Sequence, residues 1–226
     1  MQNFFLDIIT VMQNQLWFYL LTVGLVSLCI GSFLNVVIYR LPIMMQREWQ
    51  TECRVLLADD LKPTKADNTE TEFNLIKPNS TCPKCKTAIK PWQNIPVISW
   101  LLLKGRCASC SNPISVRYPI VEMLTAVLSL IVAYTFGVTE QALLYILITW
   151  VLVALTFIDI DHMLLPDQLT LPLVWLALIA AVMGITISPT DAIIGAACGY
   201  LSLWSVFWLF KLLTGKEGMG YGDFKL

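Results

Sequence analysis

The sequence predicts an all-α polytopic membrane protein with about five transmembrane helices and one soluble loop between the first and the second. Three observations predict it. The chain has 226 residues, of which 57% are hydrophobic and 14% charged, too apolar for a water-soluble domain of this size. The apolar residues gather in stretches of roughly 20, the length a helix needs to cross the hydrocarbon core. All 15 Lys and Arg fall in two blocks, Arg40 to Arg117 and Lys211 to Lys225. The net charge of −1 is uninformative beside that distribution.

The first apolar stretch runs from Leu16 to Tyr39. It lacks a basic segment ahead of it, carries Asp7 there instead, and is followed by Arg40 rather than a small-residue cleavage site, so it reads as a permanent helix and not a secretory signal. The others run from Tyr118 to Gly137, Gln141 to Ile158, Gln168 to Ile187 and Ala192 to Leu213. Lys and Arg concentrate in cytoplasmic loops, which places both basic blocks on the cytoplasmic side. Four crossings separate Arg117 from Lys211, an even number, so the assignment is self-consistent. The connectors at 138–140 and 188–191 carry no Lys or Arg and fall outside, as does the N-terminus.

Residues 41–117 form the one sizeable soluble region, between the 1–40 segment with the first helix and a membrane domain at 118–226. Its first part, 43–77, is polar and without clear period and is expected to be a flexible insertion. Its second part holds Cys82-Pro-Lys-Cys85 and Cys107-Ala-Ser-Cys110, two C-x-x-C turns with positions 86–106 between them. That is close to zinc-ribbon spacing, in which each turn gives two thiolates to one tetrahedral ion. Four sulfurs leave no open position, so Cys82, Cys85, Cys107 and Cys110 are expected to hold a structural zinc. Disulfides are disfavoured in a reducing compartment, and a thioredoxin-like redox pair lacks its βαβ setting. Cys29 and Cys198, inside apolar stretches, read as small packing residues, and Cys53 is unassigned. Between the turns, Pro91 to Leu101 is apolar and aromatic; it suits either the membrane surface or the cover of a small metal core.

Carboxylates at membrane depth are costly and mark function by default. Asp159, Asp161 and Asp167 cluster where the third helix reaches the cytoplasmic side and the fourth begins; Asp223 follows the fifth helix in Gly220-Tyr-Gly-Asp223. The topology brings both groups to one face. Two carboxylates together in a low-dielectric site share a proton, the arrangement in which one activates water and the other protonates a scissile carbonyl. Gly220 and Gly222 let backbone approach a substrate closely. Asp167, after Leu-Pro and before an apolar run, fits a helix N-cap better. Asp161 would point to another face than Asp159 on a continuing helix. Spacing alone does not choose between Asp159 and Asp161 as partner of Asp223. His162 is the only histidine, which excludes an H-E-x-x-H metal site and argues against a Ser-His triad.

Four ordered motifs now resemble a known family, the bifunctional type IV prepilin leader peptidases with N-methyltransferase activity. They are Gly31-Ser-Phe-Leu-Asn35-Val-Val-Ile-Tyr-Arg40-Leu-Pro42, the two cysteine turns with Pro113 to Glu122, Phe157-Ile-Asp159-Ile-Asp-His-Met-Leu-Leu-Pro166-Asp167, and Gly218-Met-Gly220-Tyr-Gly222-Asp223-Phe-Lys225-Leu. The resemblance implies that Asp159 and Asp223 are the catalytic pair of an aspartic endopeptidase in the bacterial inner membrane. It implies cleavage of prepilin or pseudopilin precursors, for pili or type II secretion, after the glycine ending a short basic leader. Methylation of the new amine from S-adenosylmethionine would follow; no G-x-G-x-x-G turn marks a site for that donor. Membrane lipid is the other expected partner and nucleic acid is not. Family members continue past G-x-G-D with further helices, so a chain ending at Leu226 is expected to be a truncated form with little activity. Two other readings keep part of the pattern: an intramembrane G-x-G-D protease of other substrates, and a noncatalytic zinc-bearing assembly protein whose carboxylates cap helices or pair with cations.

Overall fold

A computed structural model describes residues 2–57 and 73–216; Asp223 and its glycines lie outside the described residues. Among the described residues regular structure is helical, with isolated β-bridges alone in the loop. The helices are α1 (Gln2–Asn14), α2 (Leu16–Leu56), α3 (Ile98–Leu102), α4 (Arg117–Phe136), α5 (Glu140–His162), α6 (Asp167–Val182) and α7 (Pro189–Thr214). Four of them, α2, α4, α5 and α7, are long and apolar enough to span a membrane. The chain divides into two compact units, 14–131 and 1–13 with 132–226.

In the first unit, α2 is the dominant element. Its buried residues Ser27, Gly31, Leu34, Ile38, Leu41 and Met45 recur at alternating spacings of four and three, one continuous stripe. Small residues on that stripe let α4 come close. A Cβ built on Gly31 would lie 2.8 Å from the Glu122 Cα and 3.3 Å from the Thr125 Cβ. Small residues at such a seam are how membrane helices gain van der Waals contact where lipid supplies no hydrophobic drive. Thr125 and Ser129 of α4, buried at the seam, donate their hydroxyl protons back to the carbonyls of Val121 and Thr125.

The helix does not stop at Tyr39, as the hydropathy suggested, but continues to Leu56. Residues 43–56 are therefore helical and not a flexible insertion; of the rest of that stretch, 58–72 lies outside the described residues, and 73–77 is described and held at Asn74 by Arg40. The reason is local. Met44, Met45, Gln46, Arg47, Glu48 and Gln50 are good helix formers, and a helix already running adds them without a new nucleus. Pro42 is accommodated within it and buried.

In the second unit, α6 packs against both α5 and α7. Helix starts follow from caps. Thr139 Oγ1 accepts from the Ala142 amide at 3.1 Å to open α5, and Ser188 Oγ accepts from the Asp191 amide at 3.2 Å, with Pro189 in the first turn, to open α7. Gly215 closes α7 with φ +67, its amide donating to the Lys211 carbonyl. α6 is shorter than expected. It ends at Val182, ahead of Gly184 at φ +74, and its 16 residues reach about 24 Å, short of a full hydrocarbon core. Cys29 and Cys198, expected as packing residues, are exposed on the apolar surfaces of α2 and α7.

Candidate functional site

The cysteine module is built from two turns that repeat one another, Cys107 standing where Cys82 stands and Cys110 where Cys85 stands. In the first, the Cys82 amide donates to the Thr87 carbonyl (3.0 Å) and the Lys86 amide to the Cys82 carbonyl (2.9 Å). In the second, the Cys107 amide donates to Asn112 (2.8 Å) and the Ser111 amide to Cys107 (2.9 Å). Bridges Thr81–Ala88 and Arg106–Pro113 close the two turns in the same register. Lys86 (φ 57) and Ser111 (φ 56), each directly after the second cysteine of its pair, take the same left-handed bend.

All four sulfurs lie within 4.8 Å of one another, and Cys82 Sγ is 3.7 Å from Cys110 Sγ. Four thiolates at ~2.3 Å from one tetrahedral ion would sit roughly 3.8 Å apart, whereas a disulfide needs ~2.05 Å. The four cysteines are unbridged, and the donor set fits a soft divalent metal.

Their protonation is uneven. Cys85 is lowered to about 6, first by the Thr87 side chain, whose Oγ1 is 3.2 Å away, and then by the Thr87 amide. The thiol donates to that hydroxyl; once ionised, it accepts from it. Cys107 is lowered by the amides of Ser109 and Cys110. At Cys110 the Asn112 amide pulls downward, but desolvation and the three neighbouring sulfurs outweigh it and raise the thiol to about 11.

The module is clasped to the helix ends by the motif residues. Arg40, buried at the end of the apolar part of α2, donates through Nη1 to the Asn74 carbonyl (2.9 Å) and through Nη2 to the Pro78 carbonyl (2.6 Å). Phe73 lies under the guanidinium groups of Arg40 and Arg47. Asn35 Nδ2 donates to the Tyr118 carbonyl at 3.1 Å. Glu122 Oε2 accepts from the Val97 amide at 2.7 Å, and Ser32 also hydrogen-bonds that carboxylate. Inside the loop, Trp100 Nε1 donates to the Ile114 carbonyl (3.2 Å). Its ring lies so close to Gly105 (φ +65) that a Cβ there would sit 2.9 Å away. Glu122 is a residue that hydropathy overlooked. A carboxylate inside an apolar run is the signal that would have found it.

The carboxylates stand at the end of α5. Asp159 is half-buried, one residue after the fully buried Ile158, and its carbonyl accepts from the Met163 amide where the chain turns left-handed (φ 50). Asp161 is exposed, as expected for a position on another face of a helix that continues past Asp159, and His162, nearly one turn beyond Asp159, is exposed as well. Asp167 is not the cap of α6. Pro166, extended at φ −64 and ψ 121, takes that position, and Asp167 is the first helical residue, where a negative charge suits the positive helix end. Asp223 lies outside the described residues.

Comparison with known proteins decides the kinship. Residues 25–136 match the bacterial peptidase A24 N-terminal domain, and residues 146–226 match the type IV leader peptidase family. The chain belongs to the type IV leader peptidase family. A prepilin leader peptidase/N-methyltransferase of Aeromonas salmonicida is 57% identical over 93% of this chain and 71% of its own length. The like-named protein of Pseudomonas aeruginosa is 56% identical over 95% of this chain and 72% of its own. That of Legionella pneumophila is 49% identical over 94% and 72%. No solved structure matches this chain. The A24 N-terminal match contains all four module cysteines and the clasp residues Asn35, Arg40 and Glu122, and the leader peptidase match contains Asp159 and Asp223.

Proposed function

We propose that the protein is an aspartic endopeptidase of the bacterial inner membrane that removes the leader of type IV prepilins or pseudopilins on the cytoplasmic side. It then methylates the new amino terminus. The observation that carries the reading is identity above 50% to prepilin leader peptidase/N-methyltransferases over more than nine-tenths of the chain. The confinement of Lys and Arg to the two blocks that flank the apolar stretches supports the cytoplasmic side.

In the peptidase step Asp159 and Asp223 act as a pair, one ionised and one protonated. The ionised carboxylate takes a proton from water as the water oxygen attacks the carbonyl carbon of the leader's final glycine. The protonated carboxyl donates to the carbonyl oxygen, and collapse of the tetrahedral species sends a proton to the departing amine. The half-buried position of Asp159, at the end of a helix with buried neighbours, supports this role. Cys82, Cys85, Cys107 and Cys110 hold zinc as a closed structural site; the ion fixes the loop and takes no part in cleavage. S-adenosylmethionine supplies the methyl group, a reading that rests on the relatives' name, and no residue is assigned to it.

The test is cleavage of a precursor by the full natural protein with Asp159→Asn, Asp223→Asn and, as control, Asp161→Asn. The first two should each lose roughly 10²–10⁴-fold in rate, the scale of general acid–base catalysis, with the third close to wild type. Unimpaired processing by both would leave a noncatalytic assembly protein. Equal cleavage of substrates without a basic leader ending in glycine would instead indicate a general intramembrane protease.

A further inference from the structure

The stretch between the two cysteine turns carries an apolar face that the metal module does not use. Trp100 turns inward against Gly105 and Ile114, but Ile98, Leu101 and Leu102 are 56%, 61% and 78% exposed. Those three positions are i, i+3 and i+4 of α3, so they share one side of its single turn. Trp92, in the 3-10 turn Pro91–Asn94 that packs on α3, is 61% exposed, with the Lys90 ammonium 4.9 Å from its ring centre. A module folding only around its own core would bury such residues.

Two further observations say what covers this face. The first is height. The amide of Val97, immediately before α3, is held by Glu122, which lies about 8 Å along α4 from its start at Arg117. α4 is a membrane-spanning candidate, so the clasp holds α3 at the level where that helix enters the bilayer. The second is charge. Residues 73–121 contain seven Lys and Arg and no Asp or Glu, and Lys90, Lys104 and Arg106 flank the apolar side chains in sequence and are exposed.

We propose that α3 and the adjoining 3-10 turn form an interfacial foot: Trp92, Ile98, Leu101 and Leu102 enter the headgroup region of the protein's own bilayer while Lys90, Lys104 and Arg106 engage anionic lipid headgroups. Apolar side chains inserted a few ångströms deep and cations over acidic lipid are the two attractions that hold amphipathic segments in an interface. The foot does not depend on the peptidase reading.

The test places a photoreactive benzophenone residue at Leu102 and, separately, at exposed Ser109 in the second cysteine turn, in the full natural protein. The protein is reconstituted in vesicles of phosphatidylcholine mixed with phosphatidylglycerol or of phosphatidylcholine alone. Lipid adducts should form at 102 and not at 109, more strongly with phosphatidylglycerol. Lys90→Glu combined with Lys104→Glu should abolish the phosphatidylglycerol preference. Each cation removed lowers the docked-to-free ratio by roughly fivefold. Adducts to protein at 102, equal lipid labelling at both sites, or yields indifferent to phosphatidylglycerol and to the two charges would each overturn the proposal.

Discussion

The four thiols gather at one point but do not hold their protons equally. Cys85, at about 6, is mostly ionised at neutral pH, whereas Cys110, at about 11, keeps its proton until something displaces it. A metal ion binds thiolates, so loading at pH 7 must expel at least the Cys110 proton, and acid opposes binding. The sign follows: zinc affinity should rise with pH between 6 and 8 by roughly tenfold per unit for each proton released. Competition with a chromophoric chelator at several pH values measures this, and a flat profile would contradict it. The cysteines were legible because C-x-x-C is a short-range pattern whose spacing carries its own geometry. Glu122 was not, because averaging hydropathy over the length of a membrane helix absorbs a single carboxylate. What makes Glu122 tolerable in α4 is the Val97 amide, and that partner is remote in sequence.

The five apolar helices α2 and α4 to α7 were legible in approximate place, because apolar stretches of near-membrane length leave few alternatives, whereas the shorter α1 and α3 were not. Their ends depended on local chemistry that hydropathy ignores: Gly184 after α6, and the run of helix formers that carries α2 to Leu56. How two helices approach was harder to read, since the Gly31 backbone meets the Glu122 backbone with no room for a side chain. Gly31→Leu should therefore push α2 and α4 apart and destabilise the protein by about 1–3 kcal/mol or more. Gly24→Ala, where a new methyl would meet only the Leu130 side chain at 3.6 Å, should be near neutral. Thermal unfolding in a mild detergent compares them, and equal stability of the two variants would show that the close approach does not matter.

Across the molecule as a whole, the question is how the small cysteine module is fastened to the long apolar helices α2 and α4. The structure answers with a few hydrogen bonds from motif residues, Arg40 to two loop carbonyls and Glu122 to the amide of Val97. Bonds to charged groups contribute about 1.5–3 kcal/mol each, so Arg40→Ala should open the 73–80 segment at least roughly tenfold more often. Limited proteolysis would read that opening, with metal content unchanged. Glu122→Gln, which keeps an acceptor for Val97, should behave nearly as wild type where Glu122→Ala does not. No difference between Gln and Ala would remove Glu122 from the clasp. The placement of Asp159 was legible from topology, but its pairing with Asp223 rests on kinship, because the whole of the chain from 160 to 222 separates the two. Each cysteine turn closes on itself through its own amides and its own bridge. The chain between them is therefore free to vary in length away from its two anchors, the Val97 amide on Glu122 and the Trp100 ring over Gly105, while each turn keeps its shape.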